Sequence, residues 1–197
     1  MPSKPLILGF DTSAAHCAAA LLSGDHVLAQ AHEEMGRGQA ERLMPLLAGV
    51  LAAAGKTWAD LDAIGVGVGP GNFTGIRISV SAARGLALGL GIPAIGVNSF
   101  EAVALSDGTG TVAVLGPRGQ AYLAPKEAAP YLAPAEEVAA LGDLKTPQSA
   151  SIAGHIAQVA ARKLPDGTHH APAPLYIKAA DAAPPRDPAP KILSDAP

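Results

Sequence analysis

Among 197 residues there is a single cysteine, Cys17. One thiol cannot build an intrachain disulfide framework, so core packing must hold the fold, and a reducing, cytoplasmic location is expected. Aromatic residues make up only 4%, which points to helices and backbones packed closely on small side chains. Charge is sparse, with 14 Lys and Arg against 17 Asp and Glu. No basic run tracks a phosphate backbone, which argues against strong autonomous nucleic-acid binding. No apolar run reaches the roughly 20 residues of a membrane span. The opening Met1–Pro5 leads only to a short apolar run ending at Asp11, which suits neither a signal peptide nor an anchor. His16, His26, His32 and His155 stand apart, and His169-His170 has no carboxylate cluster nearby. Without Cys-x-x-Cys or His-x-x-x-His, no metal site is expected.

What the chain does have is alanine, 22 glycines and 18 prolines. Leu6–Phe10 reads as a buried strand, Cys17–Leu22 as a second and Val27–His32 as a third, with Ser23-Gly24-Asp25 as the turn between the last two. A helix is expected from Gln39 to Ala54, with Leu43, Leu47, Val50, Leu51 and Ala54 on one stripe and Gly55 as its stop. Pro45 must sit near its first turns because proline lacks an N–H. Thr57-Trp58-Ala59-Asp60 has the form of a capping box. Ile64, Val66 and Val68 alternate with Gly65 and Gly67, giving a strand with one packed face and one that admits a close backbone. Gly69-Pro70-Gly71 ends it, and Asn72 or Thr74 can cap a helix running to Leu90. A strand at Ile92–Val97 and a short helix at Ser99–Leu105 complete βββαβαβα, the plan of a ribonuclease-H-like half-domain.

Beyond the break at Ser106–Gly110, Thr111–Leu115 and Gln120–Ala124 are expected to pair as a hairpin. Short helices are expected at Pro134–Leu141 and Ser151–Leu164, and a last strand at Leu175–Ile177. The division is therefore an N-terminal domain over 1–105, a small second domain over 106–180, and a Pro/Ala-rich disordered tail over 181–197.

The glycine-rich stretch is a candidate anion cradle aimed at a helix N-terminus. Its spacing, Gly69-x-Gly71-x-x-x-Gly75, is not that of a dinucleotide fingerprint, and Asn98 stands where the ribose-binding acid would be. Gly55-Lys56-Thr57 ends a helix instead of opening one, so it is not a phosphate loop. Asp11-Thr12-Ser13 reads first as an Asx-type turn, with metal or phosphate contact as the alternative. Ser13, Cys17 and Thr74 have no base assigned by any local pattern, and Cys17 reads as a small apolar core residue.

Phe10-Asp11-Thr12-Ser13, Gly69-Pro70-Gly71-Asn72-Phe73-Thr74-Gly75-Ile76-Arg77 and Gly85-Leu86-Ala87 together resemble the TsaB (YeaZ) family, relatives of TsaD/Kae1 within the actin-like ATPases. Gln39–Pro45 fits that family's first helix, with weaker echoes at Arg118–Tyr122 and Pro174–Ile177. The chain departs from the family pattern at Gln39, where histidine is common, and at Gly116, where a residue such as aspartate is found. The resemblance implies an actin-like fold with a shortened second half. It also implies a non-catalytic scaffold subunit that pairs with TsaD and, with TsaE, supports threonylcarbamoyl transfer to the adenosine beside the tRNA anticodon. The tRNA would be met only through the complex, and a homodimer is left open when TsaD is absent.

By the same resemblance, Glu41, Leu43, Leu47, Leu51, Gly75, Ser79, Ala82, Arg84 and Leu86 form the partner face, on two helices. No catalytic residue and no cofactor of its own are implied. ATP with magnesium is left open, at Asp11, Thr12, Gly69, Gly71 and Thr74. The competing reading is an autonomous ATP-binding enzyme or hydrolase of the same fold. A peptidase ranks last, for want of a paired nucleophile and base.

Overall fold

The computed structural model describes residues 4–106, 110–125, 128–147, 149–167 and 169–177. The expected tail, 181–197, lies outside them. The chain forms β1 (Leu6–Asp11), β2 (His16–Ser23), β3 (His26–Glu34), α1 (Gln39–Ala53), β4 (Ala63–Gly67), α2 (Phe73–Leu90), β5 (Ala94–Val97) and α3 (Ser99–Ala104). After these come β6 (Thr111–Leu115), β7 (Ala121–Leu123), β8 (Tyr131–Ala133), α4 (Ala135–Ala140), β9 (Leu144–Lys145) and α5 (Ile152–Lys163).

The first five strands make one sheet in the order β3-β2-β1-β4-β5, with β1, β4 and β5 parallel and β1, β2 and β3 antiparallel. Every residue of β1 and β4 is buried, because helices cover both faces. On one face Leu8, Phe10, Leu21, Ile64 and Val66 meet the apolar sides of α1 and α2. On the other, Ile7, Ala20 and Leu22 meet Ile152, Ile156 and Ala157 of α5.

Two glycines explain how closely α5 approaches. Gly9 and Gly65 are register partners across β1 and β4. A Cβ on Gly9 would overlap the Ala153 carbonyl and Ala157, and one on Gly65 would press on Ala160 and Ile156. The bare patch on the sheet and the alanine row on the helix are complementary, which is what a chain poor in aromatics needs to fill its core.

The sequence-based division at residue 105 is therefore corrected. Although it follows the break, α5 packs on the first sheet, and the segment 169–177 also returns to it, with Leu175 N–H donating to the Val68 carbonyl at 2.8 Å. That segment is not the expected strand, since Pro172 and Pro174 have no N–H with which to extend a ladder. What remains as a second lobe is the sheet β8-β7-β6-β9 with α4. The β6–β7 hairpin forms as expected, Gly116 N–H donating to the Gln120 carbonyl. The two- and three-residue strands β8 and β9 are additions, too short to show alternation in the sequence.

Local signals in the first lobe hold closely. Asn72 caps α2 by accepting from Gly75 N–H at 2.9 Å. The Asp60 carboxylate accepts both the Thr57 N–H and hydroxyl. Asn98 and Glu101 form a reciprocal capping box at α3.

Candidate functional site

Two surfaces qualify. The first is a cleft of about 900 Å³ between the C-terminal strand ends of the first sheet and the β6–β7 hairpin. Its buried end holds Asp11, Ser13, His16 and Ser99. Asp11 Oδ2 accepts from Ser13 N–H at 2.9 Å, from Ser13 Oγ at 2.9 Å and from His16 Nε2 at 2.7 Å. The Asx-type turn is thus real. His16, read as isolated from the sequence, is brought to Asp11. The signal for it was the hairpin itself, because antiparallel pairing of β1 and β2 returns residue 16 to the mouth of the turn that Asp11 opens.

The residues considered for nucleotide are engaged with each other. Thr12 Oγ1 donates to the Gly75 carbonyl at 2.7 Å, and Thr12 is fully buried. The Asn72 N–H donates to the Ser13 carbonyl at 2.6 Å. A Cβ on Gly71 would overlap the Ser13 carbonyl, and one on Gly75 the Thr12 carbonyl. The Gly69 carbonyl accepts from Ser99 N–H at 2.8 Å, while Thr74 is exposed on α2 beside α1 and lines no part of the cleft. The two turns that would have to cradle phosphates press directly on one another. No described residue lining the cleft is Lys or Arg. The polar groups of these turns are thus engaged with each other within the chain. Among the described residues no group of three or more His, Cys, Asp and Glu converges on a metal position.

At the cleft mouth Phe73 and Tyr176 stack with ring centroids 4.8 Å apart. Arg77 lies 3.8 Å over the Phe73 ring and donates from Nε to the Tyr176 hydroxyl at 2.9 Å. Residues 175–177 are thereby tied to the first turns of α2. Cys17 lies on the buried face of β2, and desolvation, followed by the Glu33 charge, pushes its thiol up to about 11. It packs as an apolar residue.

The second surface is the outer side of α1 and α2. A groove of about 410 Å³ runs between them, lined by Ala40, Leu43, Met44, Arg77, Ile78 and Ala82 among others. Here several expected partner residues are corrected. Leu43, Leu47 and Leu51 point into the core against the chain's own sheet. Ser79 is fully buried, its hydroxyl within 3.1 Å of the Gly67 and Ile76 carbonyls, and Gly75 abuts Thr12. Glu41 and Arg84 are exposed, and Ala82 and Leu86 half-buried. The outward small-residue rows are instead Ala40, Ala48 and Ala52 on α1 and Ser81, Gly85 and Gly89 on α2, all exposed. Met44 at 42% and Leu88 at 87% exposure stand out as the large apolar groups among them. A Cβ added at Gly85 or Gly89 would meet nothing within 4 Å.

Residues 26–143, more than half of the chain, match the family described as TsaD: tRNA N6-adenosine threonylcarbamoyltransferase. A crystal structure from Pseudomonas aeruginosa, described as an uncharacterized protein with similarity to peptidase YEAZ, is 25% identical with a TM-score of 0.71. The match covers 88% of this chain and 100% of that one. YeaZ from Pseudomonas aeruginosa is 24% identical, with a TM-score of 0.70 over 87% of this chain and 99% of its own. No curated protein matches the sequence. No helix among the described residues is long and apolar enough to cross a membrane.

Proposed function

Because the chain belongs to the TsaD family, as one of its TsaB (YeaZ) members, we propose that it serves tRNA threonylcarbamoyladenosine formation as a non-catalytic scaffold that pairs with TsaD. TsaD supplies the reacting site, TsaE acts with the pair, and tRNA is met only through the complex. The observation that supports this reading is how the polar residues of the glycine-rich turns are used. Thr12 and Asn72 hold the start of α2 in place through bonds within the chain, and Asp11 holds the Ser13 turn that abuts it.

The surface so fixed is suited to helix packing. Rows at i, i+4 spacing on α1 and α2 are small, open and flanked by Glu41 and Arg84. Ridges of a partner's helices can seat between them, with Met44 and Leu88 as the apolar anchors. The same face is the one through which two copies would pair when TsaD is absent.

Reconstitution tests the role: purified TsaD, TsaE and threonylcarbamoyl-adenylate with tRNA should transfer the group efficiently only when this chain is added. Ser81→Trp, Gly85→Trp and Leu88→Asp should each abolish co-elution with TsaD while leaving the unfolding midpoint unchanged. Ser79 is unsuitable for this purpose, since bulk there disrupts the core. Normal binding by all three variants would show that the face is misassigned. The alternative, an autonomous ATP-dependent hydrolase, has the cleft's volume in its favour. Turnover of ATP and magnesium by the isolated chain would replace the scaffold reading with it.

A further inference from the structure

The buried end of the interlobe cleft has a polarity that a scaffold role leaves unused. Its side-chain hydrogens point into the protein. Ser13 Oγ donates to Asp11, and Ser99 Oγ donates to the Pro70 carbonyl at 3.2 Å. A carboxylate only accepts, so His16 Nε2 carries the proton directed at Asp11 Oδ2. Left over are Asp11 Oδ1, the serine lone pairs and His16 Nδ1, none with a hydrogen-bond partner among the described residues. The His16 and Asp11 side chains are 5% and 2% exposed.

Aromatic rings also line the cleft. Tyr122 and Tyr176 line the cleft with Phe73, and the Phe73 ring already holds one cation, the Arg77 guanidinium. The volume falls within the range of small-molecule sites, whose pattern is apolar walls with a few convergent polar groups.

We propose that this cleft binds a small organic cation, an ammonium group carried on a flat apolar body, and discriminates against phosphate-bearing ligands. The ammonium has three donors and no acceptor, which complements lone pairs beside a carboxylate. Its apolar body lies against Tyr122 and Tyr176. A phosphate in the same position meets lone pairs and a carboxylate, with no Lys or Arg among the described residues that line the cleft.

The full chain is titrated calorimetrically with 2-phenylethylamine, with uncharged 2-phenylethanol and with magnesium-ATP. The amine should bind at least about tenfold tighter than the alcohol, magnesium-ATP should not displace it, and the His16 ring resonances should shift with the amine alone. Tyr176→Ala, at an exposed position that leaves the core intact, should weaken the amine several-fold. Asp11→Asn should remove the preference for amine over alcohol. The comparison of ligands on the unaltered chain decides the matter even if that variant does not fold. Equal binding of amine and alcohol, displacement by magnesium-ATP, or no saturable amine binding at millimolar concentration would each overturn the proposal.

Discussion

The five-stranded sheet is covered on both faces, by α1 and α2 on one side and α5 on the other, whereas the four-stranded sheet rests on α4, α3 and Ile177. In the first lobe the fully buried side chains include Phe10, Ile7, Leu8, Leu21, Leu47 and Ile64. In the second, the buried set under α4 is Ala113, Ala121, Leu123 and Ala133. Hydrophobic stabilisation scales with the apolar area removed from water. The first lobe therefore carries the chain's stability, and the hairpin that walls the cleft is the part that opens at lower free energy.

The most severe way to break this comparison is to prise apart the double covering. Gly9→Val places branched bulk against the Ala153 carbonyl and Ala157 backbone of α5, and should cost about 3 kcal/mol or more in urea unfolding. Gly85→Val, facing open space, should not. Next in size is a matched deletion. Leu47→Ala in the first core should cost about 3 to 4 kcal/mol, and Leu123→Ala in the second sheet about 2. Equal losses would show that the lobes share one cooperative core. Amide exchange should likewise be faster in β6 and β7 than in β1 and β4.

A smaller effect comes from pH. The folded state holds the Cys17 proton more tightly than the unfolded chain, whose thiol titrates near about 8.5. This contribution is fully present below that pH and is lost as pH rises through about 11. It should amount to something on the order of 2 kcal/mol, with the alkaline slope reduced in Cys17→Ala. The smallest expected change is Arg42→Ala. Its ion pair with Glu33 holds that carboxyl below the usual range, yet both groups lie at the surface. The urea midpoint should stay within measurement error.

Much of the first lobe was legible because its signals are local. Asn72 before Phe73, Thr57 with Asp60 and Gly55 after Ala54 each act over three or four residues, and each formed where the sequence placed it. The alternation of Ile64, Val66 and Val68 with glycines correctly announced a face reserved for close backbone approach. The misread elements are the ones decided from far away. Gly75 and Ser79 sit on a helical row of small residues that looked outward. The Thr12 and Gly67 carbonyls, 63 and 12 residues distant, turned that row toward the sheet. His16 looked solitary because nothing in a linear pattern marks it as the partner of Asp11.

By itself, then, the sequence determined the order of strands and helices in the first lobe, the caps at their ends and the family, since periodicity, capping chemistry and glycine placement are properties of neighbouring residues. The tertiary structure alone decided that α5 belongs to the first sheet, that the glycine-rich turn packs on Ser13, and which sides of α1 and α2 face outward. A helix with apolar or small residues on two sides can be buried either way. Only the approach of β1, β4 and the Asp11–Ser13 turn settles which side loses its water.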